Sequence, residues 1–99
     1  MINEGGNISD TIRYWQGVLD IKDWDISIQR IYQEQVIYNG EDYFIGITRD
    51  FDKKEAIINH DIDLTEESIV HELLHVAHPT KDEHWINETT KQYIHTELK

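Results

Sequence analysis

Residues 65–79 read Thr65-Glu66-Glu67-Ser68-Ile69-Val70-His71-Glu72-Leu73-Leu74-His75-Val76-Ala77-His78-Pro79, and their spacing decides the fold. Take His71 as zero and about 100° per residue. His75 then falls near ~40° and Glu72 near ~100°, whereas Ile69, Val70, Leu73, Leu74, Val76 and Ala77 fall between about 140° and 300°. One side of this helix is therefore apolar and the other presents His, Glu and His together. Asp63 or Thr65 can cap its start. Pro79 stops it, because the residue before a proline is pushed out of the α region.

Downstream, a second helix is predicted from about Asp82 to Leu98, with Ile86, Tyr93, Ile94 and Leu98 toward the core. Upstream, Ser9 or Asp10 can cap a first helix in which Ile12, Trp15 and Leu19 recur at helical spacing. Trp24, Ile26 and Ile28 alternate with polar residues, as in a half-buried strand. Val36-Ile37-Tyr38 and Tyr43 to Ile47 flank an Asn39-Gly40 turn and read as a hairpin. A turn at Asp52-Lys53-Lys54 leads into the short strand Ala56-Ile57-Ile58-Asn59-His60. The expected fold class is α+β, in the order α-β-β-β-α-α. Three or four mainly antiparallel strands would carry the helices on one face.

The chain has 99 residues, no cysteine and a formal net charge of -11. That length supports one domain spanning residues 1–99, with residues 1–7 expected to form a mobile tail. Without cysteine there is no disulfide framework and no thiolate metal site, so any metal must be held by His, Asp or Glu. Twenty acids against nine bases argue against nucleic acid and an anionic membrane as partners. No apolar run approaches a membrane span or the core of a signal peptide, so a soluble cytoplasmic protein is expected.

His71-Glu72-Leu73-Leu74-His75 is an HExxH pentad. Two imidazoles one turn apart can converge on one zinc ion, and the intervening glutamate can reach a water beside it. A third ligand is needed. His78 lies about 10 Å along the axis from His71 and precedes Pro79, which makes it a poor candidate. Glu88 and His84 are better placed, on the polar stripe of a last helix folded back antiparallel, and Glu88 is preferred.

The pentad followed by Trp85-Ile86-Asn87-Glu88-Thr89-Thr90 resembles the gluzincin zinc metallopeptidases. In size and element order the chain is most similar to the small single-domain minigluzincins and to phage zinc-peptidase-like proteins. The resemblance implies a zincin-like fold holding one zinc ion. It implies His71, His75 and Glu88 as metal ligands, with Glu72 as general base. It also implies an edge strand, here Ala56, Ile57, Ile58, Asn59 and His60, that holds an extended peptide or unfolded protein segment by strand addition. The chain departs from the pattern in carrying Gln92 where the family has an aspartate, and it lacks the second subdomain that would wall a deep cleft. A partner protein could supply that wall. The electrophile that assists the scissile carbonyl stays open among Tyr93, His95 and His60. Thr96 to Lys99 follow the metal-facing stripe, so the chain's own end could occupy the site and leave the enzyme latent.

Two readings of other classes compete. One is a binding or regulatory module that keeps a closed structural zinc site, for instance His71, His75, His84 and Glu88. The other is an acidic DNA mimic, which would need carboxylates spaced like phosphates; here they spread along the whole chain.

Overall fold

The computed structural model describes residues 8–30, 45–60 and 63–97. The predicted Asn39-Gly40 hairpin and the predicted tail lie outside these residues, as does Leu98. The observed order is α1 (Ile8–Val18), β1 (Asp25–Arg30), β2 (Ile45–Asp50), β3 (Glu55–His60), α2 (Glu66–Ala77) and α3 (Glu83–Glu97). This is the expected α+β arrangement, with three strands among the described residues.

The helix α1 buries Ile12, Trp15 and Gln16. It ends where Asp20 takes a positive φ of 60°. Gln16 is buried yet satisfied: its Nε2 donates to the carbonyls of Ile21 at 3.0 Å and Trp24 at 2.7 Å, fixing the turn that launches β1.

In the sheet the strand order is β1-β3-β2. β3 runs parallel to β1 and antiparallel to β2. Two sequence expectations change here. The sheet is mixed, with one parallel and one antiparallel pair. And Ala56 to His60 form the central strand, not an edge strand: Ile58 is registered against both Ile28 and Ile47, so both sides of its backbone are engaged. Its composition explains the position. Ala56, Ile58 and His60 are buried against the helices, and Ile57 and Asn59 are half-buried on the other face. A strand screened on both faces needs apolar residues at consecutive positions, as Ala56-Ile57-Ile58 supplies. Strand addition along β3 is thereby excluded.

The three helices pack on the face that carries Ile26, Ala56 and Ile58. Trp15, Ile58, Ile69, Val70, Leu73, Leu74 and Ile86 are the largest fully buried side chains. Trp15 joins α1 to the rest: its ring meets Tyr93 of α3 edge-on at 6.0 Å, and its Nε1 donates to Glu66 Oε2 at 2.7 Å. Of the two predicted caps for α2, Thr65 serves, its Oγ1 accepting from the Ser68 amide at 3.1 Å. Asp63 pairs instead with Arg30 at 3.1 Å. Asp82 caps α3 by accepting from the Trp85 amide at 2.8 Å. The short turn between the end of α2 and the Asp82 cap returns α3 antiparallel along α2, and this hairpin positions the site.

Candidate metal centre

Burial of Ile69, Val70, Leu73 and Leu74 rotates α2 so that His71 and His75 reach the surface on one side. Their rings lie 5.1 Å apart, each side chain about a fifth exposed. Glu72 lies between them in sequence but is deeper, with 6% of its surface exposed. The residues Gly46, Ile47 and Arg49 of β2, with His71, Glu72, His75 and Glu83, line a recess of about 300 Å³. Larger hollows, about 810 Å³ beside α1 and about 540 Å³ beside the 51–54 turn, are lined by none of the histidines.

Glu83 is the carboxylate that α3 brings to the pair. Its Oε1 lies 2.6 Å from His71 Nε2 and its Oε2 lies 3.2 Å from His75 Nε2. Among the described residues, these three form the group whose ligand atoms all fall within 4.8 Å of one another. The residues expected as third ligand sit elsewhere. Glu88 is exposed and near Lys91 at 3.9 Å, and His84 is exposed. His78, the weakest candidate, closes the end of α2 by donating a hydrogen bond from its backbone N–H to the Leu74 carbonyl and packs its ring against Trp85 at 5.0 Å.

Glu83 was missed because the position of the ligand depends on the length of the turn. In an antiparallel hairpin centred on Pro79, the residue opposite His75 is 83. Glu88 lies about 7.5 Å further along α3 and about 140° around its axis, so the two cannot face the histidines together. Arg49 was missed too. Its Nη1 donates to the His75 carbonyl at 2.8 Å. That carbonyl lacks its ordinary helical partner, because the residue four positions on is Pro79.

Electrostatics suit a metal. Burial pushes the Glu72 carboxyl up to about 7, the neighbouring Glu83 charge adds to this, and Arg49 opposes it. Burial also holds the His75 imidazole below its ordinary value; Glu83 works against this while His71 and Arg49 reinforce it. A neutral imidazole is the form that ligates.

The donor set fits zinc: two imidazole Nε2 atoms and a carboxylate. Around a tetrahedral zinc at ordinary bond lengths, donor atoms stand about 3.3 Å apart. His75 Nε2 and Glu83 Oε2 are near that spacing, and Glu83 would have to withdraw slightly from His71. With its side chain 60% exposed, it has room to do so.

No protein-family model, no curated protein and no solved structure matches the chain.

Proposed function

We propose that the chain is a zinc-dependent peptidase acting on peptides or unfolded protein segments. His71, His75 and Glu83 would hold one zinc ion, and Glu72 would be the general base. The observation that carries this reading is the position of Glu72. It is a buried carboxyl in the recess where the two histidines and Glu83 converge.

When bound, zinc would supply the Lewis acidity that makes a water acidic near neutral pH. Glu72 would take the proton of the attacking water and pass it to the leaving amine. A carboxylate held within reach of both the water and the amine can do both. Gly46 and Ile47 place the outer strand β2 on the rim of the recess. Among the described residues β2 is laddered on one side alone, to β3. Because β2 lines the recess, the role of substrate strand falls to it rather than to Ala56 to His60. The recess accepts a residue or two of an extended chain, and a partner protein could lengthen it.

A structural-zinc module would need a fourth side-chain ligand, and the group holds three among the described residues. A fourth position left to water would favour hydrolysis, and a fourth side chain the structural reading. No helix among the described residues is long and apolar enough to cross a membrane, in keeping with a cytoplasmic setting.

The test is metal removal and return. Zinc-loaded protein should cleave fluorescently labelled, unfolded casein. Dialysis against a chelator should stop cleavage, and one equivalent of zinc should restore it. Failure to take up zinc would overturn the reading.

A further inference from the structure

A carbonyl under attack needs a partner for the negative charge that builds on its oxygen, and the sequence offers Tyr93, His95 and His60 for this role. The structure places none of the three candidates at the recess. His60 is buried on the central strand, Tyr93 packs on Trp15, and His95 is exposed near the end of α3. The remaining cationic side chain of the recess is Arg49.

Three features distinguish Arg49 from an ordinary surface arginine. First, its guanidinium is held by two contacts. Nη1 is fixed on the His75 carbonyl at 2.8 Å, and the guanidinium lies over the Phe51 ring at 5.4 Å. Phe51 is in turn packed edge-on against Trp24 at 5.3 Å. Second, among the described residues it is held by a backbone carbonyl and an aromatic ring, whereas the other two arginines, Arg13 and Arg30, each pair with an aspartate. Its charge faces the recess, where it acts on the Glu72 carboxyl. Third, the bond to His75 uses one of its five N–H donors, leaving a fork able to receive an oxygen.

Resting on the peptidase reading, we propose that Arg49 is the electrophile of the reaction: its free N–H groups bind the scissile carbonyl oxygen and stabilise the charge that develops there. Water adds to the carbonyl carbon as Glu72 takes a proton, and the π electrons of the C=O bond move to the oxygen facing Arg49. They return as the C–N bond breaks, and Glu72 delivers its proton to the amine. Water is the sole co-reactant. A preorganised donor of this kind typically contributes about 10²- to 10³-fold to kcat.

The experiment compares zinc-loaded wild type, Arg49→Met and Arg49→Lys on labelled unfolded casein, with zinc per chain and melting temperature measured on each. Arg49→Met should lower kcat by about 10²-fold or more, with KM changed less than about threefold and zinc still at one per chain. Arg49→Lys keeps the charge without the fork and should fall in between, down roughly tenfold. If Arg49→Met does not fold, the lysine variant alone decides. Unchanged kcat in a folded, zinc-loaded variant would overturn the proposal. So would a loss of kcat that merely tracks loss of zinc, since Arg49 would then be a strut for His75. Wild type that holds zinc yet cleaves nothing would remove the peptidase reading and the proposal with it. Cleavage by wild type and variants alike would remove the proposal alone.

Discussion

Replacing Glu72 by glutamine should abolish turnover, leave zinc in place and make the metal-free protein more stable at pH 8. The first effect follows from losing the proton acceptor, which should lower kcat by about 10³-fold or more. Zinc should remain because the three ligand atoms belong to His71, His75 and Glu83. The third effect follows from linkage. In the metal-free protein the folded-state pKa of Glu72 is raised from 4.5 to about 7, first by burial and then by Glu83. A carboxyl raised in this direction favours folding while protonated, below its unfolded value. That stability is lost as pH climbs through about 7.

At pH 8 the buried charge then costs on the order of 3 kcal/mol, which glutamine avoids. Metal-free Glu72→Gln should therefore melt above metal-free wild type at pH 8, and the gap should narrow toward pH 4.5. His75 has the opposite sign: its pKa is lowered by burial, so its contribution is lost as pH falls. It is shared by both proteins and cancels in the comparison. Turnover retained by the variant would contradict the general-base role. A variant equal to wild type in melting at every pH would contradict the buried-charge account.

Trp15→Ala should be the most damaging change outside the recess. The side chain has no solvent exposure and links α1 to both later helices, through Tyr93 and through the bond from Nε1 to Glu66. Truncating a buried tryptophan costs about 3–5 kcal/mol, a large part of the roughly 5–15 kcal/mol that a domain has. For a domain of this size the midpoint should fall by roughly 15–30 °C, read by far-ultraviolet circular dichroism. Trp15→Phe, which keeps a ring and gives up the Glu66 bond, should lose much less. A shift under about 5 °C for alanine would mean that α1 is not a part of the cooperative core.

The contrast between α2 and β3 shows what a sequence of this size discloses. In α2 a single local period sorts Ile69, Val70, Leu73 and Leu74 from His71 and His75. Both the helix and the two histidines were therefore legible, as was the Thr65 cap. Strand order is not local. Ala56-Ile57-Ile58 has the consecutive apolar character of a central strand, but its neighbours lie in β1 and β2, and nothing in the segment states which strands flank it. The parallel pairing of β1 with β3 was hidden for the same reason.

The third member of the site was half legible. A carboxylate on the returning helix was expected. Glu88 stands out on the polar stripe opposite Ile86, Tyr93 and Ile94, whereas Glu83 follows from the turn between Pro79 and the Asp82 cap. Arg49 left one indirect sign. Pro79 four residues beyond His75 guarantees a carbonyl without its helical donor, and a donor had to come from somewhere.

The most direct test of the metal centre is zinc per chain in wild type, Glu83→Ala and Glu88→Ala, measured by atomic emission after dialysis against a weak chelator. The geometry predicts about one zinc in wild type and in Glu88→Ala, with a marked loss in Glu83→Ala. Zinc retained by Glu83→Ala and lost by Glu88→Ala would contradict the centre described above and return the ligand to the middle of α3.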